Sequence, residues 1–319
     1  MMNLITGGAG FIGSHLAERL LEKGEEVYVI DNFSTGKLDN IRHLFSESKF
    51  NLTVGTILDE KTLEPLIQAS DQIFHLAAAV GVRLIIEKPV DTIETNILGT
   101  EIVLKLANKH KKKVLVASSS EVYGKGNHVP FTEEDDRTYG PTTKSRWSYA
   151  SSKAIDEFLA MAYFHEKKLP MVIARLFNTI GPRQTGSYGM VVPSFVQQAL
   201  LGHAITVYGD GEQTRSFTYV DDVVSALLGL MEYPKAVGEV FNVGNTEEVS
   251  MNQLALLVKK LTESESPIVH IPYEEAFEKG FEDMQRRVPD VSKIQKLIGF
   301  KPTVSLEEAL QRIIEYFRR

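Results

Sequence analysis

Short apolar runs alternate along the chain with longer stretches in which apolar residues recur every three or four positions. The short runs are typical of buried strands, and the longer stretches are typical of amphipathic helices. This pattern predicts strands at residues 4–5, 26–30, 50–54, 72–76 and 114–117, with helices at 14–21, 60–68 and 90–110 between them. Repeated strand–helix units of this length predict an α/β fold in which a Rossmann-type, doubly wound parallel sheet carries helices on both faces.

A glycine-rich turn, Thr6-Gly-Gly-Ala-Gly-Phe-Ile-Gly13, joins the first predicted strand to the first predicted helix. Glycines allow a close approach of phosphates to the backbone, and the free amides at a helix start favour negative charge. A glycine pattern by itself also occurs in tight turns that bind no ligand, but the flanking strand and helix support a dinucleotide site here. The residues expected to contact the cofactor at this turn are Gly7, Gly10, Phe11, Ile12 and Gly13.

Asp31 ends the second predicted strand, about twenty residues beyond the glycine turn. A carboxylate at this distance accepts hydrogen bonds from the adenosine ribose and repels a 2′-phosphate, so we expect NAD and disfavour an NADPH-dependent reductase. The alternative is an aspartate that only caps a turn. The loop at 32–37 is expected to close over the adenosine end. Further cofactor contacts are assigned to Asn32, Ser34, Thr35, Gly36, Leu76, Ala77, Ala78, Asn96 and Ser118.

The second half of the chain continues the pattern without any linker-like composition. It predicts helices at 149–167 and 305–317, a helix entered through residues 191–196, a strand at 205–208, and a strand at 215–222 that ends in a helix cap. We expect two closely joined domains. Residues 1–176 form the cofactor domain, with later segments such as 215–245 interleaved, and residues 177–319 form mainly a smaller C-terminal α/β domain for the substrate.

The composition argues against several classes of function and of binding site. The formal net charge of −7 argues against non-specific binding of nucleic acid. No apolar run reaches the roughly 18 residues of a membrane span, and the chain leaves no room for a signal peptide before its first strand. The chain has no cysteine, which excludes thiolate catalysis and cysteine-ligated metal. We therefore expect a cytoplasmic protein without a metal site, a membrane anchor or a nucleic-acid partner.

Candidate chemistry lies at the end of the fifth predicted strand, in the run Ser118-Ser-Ser-Glu121, and at the start of a later helix. Tyr149 and Lys153 are four residues apart and so share one helical face. An ammonium beside a phenol favours the phenolate and lowers a pKa that is ordinarily about 10. This spacing is common by itself, but behind a dinucleotide fold it indicates a catalytic pair. His75 is expected to be a packed histidine, and the acidic run 133–136 a solvated surface.

These motifs resemble those of the extended short-chain dehydrogenases/reductases, in the group of NAD-dependent nucleotide-sugar epimerases, dehydratases and decarboxylases. The resemblance extends nearly from end to end. It rests on the glycine turn, Asp31-Asn32, His75-Leu-Ala-Ala78, Ser118-Ser-Ser-Glu-Val-Tyr-Gly124, Tyr149-x-x-x-Lys153, Phe177-Asn178, Gly181-Pro-Arg183, Tyr208-Gly-Asp-Gly211 and Arg215.

The resemblance implies roles for individual residues. Tyr149 would be the acid/base, Lys153 would orient the nicotinamide ribose, and Ser119 would bond the sugar hydroxyl that is oxidised. Relatives often have Gly-Asp-Ile where this chain has Gly55-Thr-Ile57, so we assign the adenine contact to Asp59 instead. The residues expected to bind a UDP-sugar are Arg83, Ser120, Asn178, Arg183, Val192, Tyr208, Arg215 and Arg287.

The resemblance leaves the outcome of the reaction open. A 4-epimerase acting on a UDP-hexose or UDP-hexuronate, through a transient 4-keto sugar, is the first expectation, and Gly81-Val-Arg83 favours it. A UDP-glucuronate decarboxylase is the alternative, favoured by 286–290. In such a decarboxylase Glu121 would serve as a base or proton shuttle; the alternative is that its side chain only hydrogen-bonds the backbone. A 4,6-dehydratase is disfavoured by Ser120-Glu121, and an idle NAD-binding sensor by the presence of Tyr149 and Lys153.

Two long helices, at 90–110 and 149–167, carry apolar residues on more than one face. Relatives pair such helices across a four-helix interface. We therefore expect a homodimer.

Overall fold

Seven parallel strands form the central sheet in a computed structural model that describes residues 1–80, 88–126, 128–186, 190–276 and 284–318. These strands are β1 Met2–Thr6, β2 Glu26–Asp31, β3 Phe50–Val54, β4 Gln72–His75, β5 Lys113–Ser119, β6 Met171–Leu176 and β11 Val240–Val243. They follow the order β11-β6-β5-β4-β1-β2-β3 across the sheet. Since β1 lies between β2 and β4, the chain builds outward first on one side and then on the other. The predicted doubly wound α/β fold is confirmed.

Helices of three turns or more connect most of the strands. In chain order the helices are α1 Phe11–Glu22, α2 Glu60–Ala69, α3 Pro89–Lys109, α4 Arg146–Lys167, α5 Val191–Leu200, α6 Val220–Glu232, α7 Met251–Thr262, α8 Tyr273–Ala276, α9 Ser292–Ile298 and α10 Leu306–Arg318. The predicted helices differ from these by a few residues at their ends.

Both faces of the central sheet are buried, which explains why its strands are apolar without alternation. Leu4 and Ile5 are neighbours on β1, and both are fully buried. Leu4 packs with Ile73 in a core cluster on one face, while Ile5 packs with Phe74 in a cluster on the other face. Burial of each such side chain contributes about 1.5–3 kcal/mol.

Small sheets follow the sixth strand of the central sheet. Their strands are β7 Thr179–Ile180, β8 Ile205–Tyr208, β9 Thr214–Ser216, β10 Thr218–Tyr219, β12 Glu248–Ser250, β13 Ile268–Ile271 and β14 Arg286–Arg287. Between them, α6 and β11 return to the central sheet, where β11 pairs with β6. The segment from α6 to β11 therefore packs with the sheet built by the first half of the chain.

The strand predicted at 215–222 is divided in two. β9 pairs with β12 and β14, whereas β10 pairs with β7, so the chain changes sheets at Phe217. The helix then begins at Val220, earlier than predicted. The apolar pattern alone does not reveal the change of partner, because both pieces and the start of α6 are buried.

Candidate active site

A cleft of about 1000 Å³ opens along the carboxyl edge of the central sheet. Ligands of doubly wound sheets bind at this edge, near the point where the strand order reverses. The sequence-predicted site residues that line the cleft are Gly7, Gly10, Phe11, Ile12, Gly13, Asp31, Asn32, Ser34, Thr35, Leu76, Ala77, Ala78, Ser118, Ser119, Ser120, Glu121, Tyr149, Lys153, Asn178, Arg183, Val192, Tyr208, Arg215 and Arg287. Most of the predicted residues therefore meet in one cavity.

The glycine turn leaves no room for side chains. Gly7 has a φ of +75°, and a Cβ added to it would lie 2.8 Å from the backbone of Ala77. A Cβ on Gly13 would lie 2.3 Å from the carbonyl oxygen of Gly7. Gly10 precedes α1 and makes no side-chain cap, so the first-turn amides of this helix are available to an anion. The turn fits the diphosphate of a dinucleotide.

Asp31 lies at the end of β2 and is 7% exposed. Its carboxylate accepts hydrogen bonds from the amides of Ala9, at 2.9 Å, and Phe33, at 2.8 Å. Burial raises the pKa of Asp31, and these two amides oppose the rise. Gly36 does not line the cleft, but a Cβ there would lie 3.0 Å from the Asp31 carboxylate. Asp31 thus organises the loop after β2 and also borders the cleft, which combines the two roles considered from sequence.

Asp59 lies outside the cleft, and the adenine contact assigned to it is not supported. Its carboxylate caps α2, where it accepts hydrogen bonds from the Lys61 amide at 3.1 Å and the Thr62 hydroxyl at 2.7 Å. Residues 55–57 form the adjacent wall of the cleft instead. The acid that looked like a cofactor ligand is a helix cap.

Asn96 is also displaced from its predicted role. It is 1% exposed, does not line the cleft, and accepts a hydrogen bond from the Ala79 amide at 2.8 Å. Its amide group also donates to the Ser152 hydroxyl at 3.2 Å. Asn96 therefore holds the loop after β4 rather than the cofactor. Ser118 does line the cleft, but its hydroxyl donates to Glu157 at 2.6 Å.

Ser119, at the end of β5, and Tyr149, in the first turns of α4, both line the cleft, and Ser119 is one of the groups that lower the pKa of Tyr149. Tyr149 is 6% exposed, and burial followed by the charge of Glu121 raises its pKa. The Nζ atom of Lys153 lies 2.9 Å from the carboxylate of Asp156, which also raises the pKa of Tyr149. The net direction is opposite to that predicted from the spacing of Tyr149 and Lys153, because burial and two carboxylates outweigh Ser119 and Arg287, which lower the pKa.

Glu121 lies between two arginines. Its Oε2 atom is 2.6 Å from Arg146 Nη1, and its Oε1 atom is ion-paired with Arg287. Both guanidinium groups hold the pKa of Glu121 far below its usual range despite burial. Arg287 also donates to the Oδ1 atom of Asn178. Glu121 is thus ionised and bound by side chains, which differs from the backbone contact considered as the alternative.

The remaining predicted arginines differ in their surroundings. Arg183 borders the cleft, but its guanidinium forms an ion pair with Glu18 of α1 at 2.6 Å. Arg215 also borders the cleft, and it donates to the Thr214 carbonyl at 2.8 Å. Arg83 and the motif around it lie outside the described residues.

The acidic run 133–136 is only partly a solvated surface. Glu133 is half-buried and accepts a hydrogen bond from the Asn242 amide at 2.8 Å. Asp135 accepts one from the Thr132 amide at 2.8 Å. Glu133 therefore holds the loop after β5 against β11, Asp135 holds a turn within that loop, and the other two acids are exposed.

With this geometry in view, comparisons with known proteins identify the family. Residues 4–313 match the family model described as GDP-mannose 4,6 dehydratase. The chain is 46% identical to the UDP-N-acetyl-alpha-D-glucosaminuronate decarboxylase of Bacillus cytotoxicus, over 99% of this chain and 97% of that protein. The chain belongs to the extended short-chain dehydrogenase/reductase family of nucleotide-sugar enzymes. It is also 40% identical to UDP-glucuronic acid decarboxylase 1 of Xenopus tropicalis, over 99% of this chain and 72% of that protein.

Solved structures of the family agree with the fold. The UDP-glucuronic acid 4-epimerase of Bacillus cereus, in complex with UDP-glucuronic acid and NAD, superposes with a TM-score of 0.90 at 31% identity. The match covers 100% of this chain and 99% of that one. The similar proteins include enzymes named for different reactions, so the shared fold does not decide which reaction this chain catalyses.

Sequence reasoning missed two charged residues of the site. Arg146 precedes Tyr149 by three positions, and Asp156 follows Lys153 by three. Residues three apart share a helical face, so the argument that paired Tyr149 with Lys153 could have found both. Phe217 also lines the cleft, at the point where the chain changes sheets.

In the described part of the chain, no helix is long and apolar enough to cross a bilayer. The same residues contain no cluster of three or more acidic or histidine side chains that could hold a metal ion. The cytoplasmic location stays a prediction.

Proposed function

We propose that this protein is an NAD-dependent decarboxylase of a UDP-hexuronate, with UDP-N-acetylglucosaminuronate as its preferred substrate. The observation that carries this proposal is Glu121 between Arg146 and Arg287, in the cleft that contains Tyr149. Two guanidinium groups and one carboxylate leave a surplus positive charge, which suits a sugar that carries its own carboxylate. The relative at 46% identity is named for this reaction.

The glycine turn and Asp31 fit NAD, and NAD is the cofactor of this family fold. Bound NAD would supply the acceptor for the hydride of C4 of the sugar, and NADH the donor for its return. The residues in position to hold it are Gly7, Gly13 and Asp31, with Tyr149 and Lys153 at the other end of the cleft.

The side chains of the cleft perform the proton chemistry. Tyr149 takes the proton of the 4-hydroxyl, while Ser119 holds that oxygen; general-base catalysis of this kind contributes about 10²- to 10⁴-fold. The resulting ketone is β to the sugar carboxylate. The C5–C6 bond then breaks, its electron pair enters the C4 enolate, and carbon dioxide leaves. A proton from water adds at C5. Glu121 and its two arginines hold the carboxylate end of the sugar beside this reaction.

The test is to incubate the purified protein separately with UDP-N-acetylglucosaminuronate and UDP-glucuronate and to follow products by proton NMR. We expect release of carbon dioxide and a UDP-sugar without its C6 carboxyl group, faster from the N-acetylated substrate. A 4-epimer that keeps the carboxyl group would contradict decarboxylation. That outcome would favour the epimerase, the second candidate, which the Bacillus cereus structure supports.

We also propose that the protein is a homodimer that pairs α3 and α4 with those of a second copy. Large apolar side chains are exposed on both helices, including Val90 at 63%, Leu98 at 45%, Ile155 at 47% and Phe158 at 61%. Light scattering should give twice the mass of one chain, and Phe158→Asp should give the mass of one. The control Leu201→Asp changes an equally exposed residue on another face and should leave the mass unchanged.

A further inference from the structure

A buried ion pair lies next to the catalytic tyrosine. The Nζ atom of Lys153 is 2.9 Å from Asp156 Oδ2, and the two residues are 2% and 0% exposed. Desolvation of two charges is costly, so a buried pair of this kind contributes little net stability. The family role expected of Lys153 does not account for its carboxylate partner.

A short chain of hydrogen-bonded side chains lies beside this pair. The Thr100 hydroxyl, on α3, lies 3.0 Å from His75 Nε2. His75 Nδ1 lies 2.8 Å from the hydroxyl of Thr6, the first residue of the glycine turn. Burial and the charge of Lys153 lower the pKa of His75 to about 3, so this chain is neutral. Burial raises the pKa of Asp156 and the charge of Lys153 opposes the rise, while Asp156 Oδ1 has no hydrogen-bond partner among the described residues.

We propose that Asp156 is a positioning residue that fixes the ammonium of Lys153 and shares its charge, and so sets the pH at which Tyr149 gives up its proton. The proposal rests on Tyr149 as the base of the proposed function. An ammonium without this partner would act on the phenol with its full charge. With the partner, the phenol stays protonated to higher pH, which keeps a proton available for the return to the sugar oxygen.

Other charged groups face Tyr149 from neighbouring elements and are the same in the variants below. Glu121 raises the pKa of Tyr149 from the segment after β5, and Arg287 lowers it from β14. Arg146 faces Glu121 from the same helix as Tyr149. Glu157 is bound by Arg175, and its charge contributes to the raised pKa of the adjacent Asp156.

The test is Asp156→Asn in the holoenzyme, which keeps an oxygen for Lys153 but removes the charge. The difference in tyrosinate absorbance between this protein and the same protein with Tyr149→Phe reports the ionisation of Tyr149 without any substrate. We expect this ionisation, and the acid limb of kcat, to move to lower pH by about one unit. The control Glu166→Gln removes an exposed charge near the end of the same helix and should move neither.

A folded Asp156→Asn protein whose Tyr149 ionises at the wild-type pH would overturn the proposal, even if kcat falls. If this variant does not fold, Asp156→Ser decides. It removes the same charge with a smaller side chain, so a shift in the same direction is expected. An unchanged ionisation in Asp156→Ser would then count against the proposal. The absorbance measurement needs no substrate, so it tests this proposal alone. The decarboxylase assignment fails separately, if the wild-type protein releases no carbon dioxide from the UDP-hexuronates.

Discussion

The two ends of the cleft are built in different ways. At the cofactor end, the backbone of the glycine turn makes the fit: Gly7 lies against Ala77, in the segment after β4, and Gly13 lies against Gly7. At the other end, Tyr149, Glu121 and Arg287 come from three separate elements, and their charges determine one another's protonation. A backbone site depends on space, whereas a charged site depends on the number and sign of its neighbours.

This difference predicts different responses to substitution. At the glycine turn, an added carbon atom should lower NAD affinity. At the Tyr149 end, a change in the shape of a side chain should be tolerated, whereas the loss of one hydroxyl or one charge should lower activity.

The largest effect is expected for Tyr149→Phe, which keeps the ring and removes only the hydroxyl. Without its base the enzyme should lose about 10²- to 10⁴-fold in kcat. Steady-state kinetics measures this loss, and titration of NAD by intrinsic fluorescence provides the control. Unchanged NAD affinity would confine the effect to the charged end, while turnover that survives would show that the base is another group.

Arg287→Met should have the next largest effect. It leaves Glu121 with one cation instead of two and removes the surplus charge for the sugar carboxylate. Truncation of a buried charged partner costs about 2–5 kcal/mol, so kcat/KM for a UDP-hexuronate should fall at least about thirtyfold.

The adjacent Arg286 is a matched control, because it is exposed and pairs with Glu248 on the surface. Arg286→Met should change kcat/KM little. Equal losses in the two variants would mean that the strand β14, and not the charge beside Glu121, is what matters.

Gly13→Ala tests the cofactor end. Its Cβ would lie 2.3 Å from the carbonyl oxygen of Gly7, so the turn must shift. Overpacking of this size costs about 1–3 kcal/mol, and NAD affinity should fall about tenfold. Gly202→Ala is the control for NAD affinity, because Gly202 does not line the cleft; its φ of +69° strains an added side chain, so this variant should lose stability without losing NAD affinity. Wild-type NAD affinity in Gly13→Ala would break the contrast between the two ends.

The same contrast explains how much of the protein could be predicted from sequence. The parallel sheet, the glycine turn and Asp31 follow from local patterns, because period, spacing and strand–helix alternation are properties of neighbouring residues. Most predicted site residues do line the cleft for the same reason: each follows a strand, and the carboxyl ends of parallel strands meet at one edge.

Properties that depend on distant residues could not be predicted in this way. The direction of the pKa shift of Tyr149 depends on burial and on Glu121, which lies in another element. The partner of Arg287 and the change of sheets at Phe217 depend on tertiary pairing. The capping role of Asp59 could not be predicted, because an acid at a helix start looks the same in sequence whether it binds a ligand or caps the helix.

The smallest effect is expected for Asp59→Ala. Loss of the cap should lower the Tm by on the order of 2 °C and leave NAD affinity unchanged, as thermal unfolding with and without NAD would measure. The hydrogen bond from Thr62 lowers the pKa of Asp59, so its stabilising effect is present above the unfolded pKa of about 3.9 and is lost as the pH falls below it.

Asp59→Asn is the matched variant, because asparagine caps helices as well as aspartate does. Its Tm should stay near that of the wild type at neutral pH. At acid pH it should not show the loss that protonation of Asp59 causes in the wild type. A tenfold loss of NAD affinity in both variants would instead return Asp59 to the cofactor. The cofactor end would then depend on a side chain as much as the Tyr149 end does.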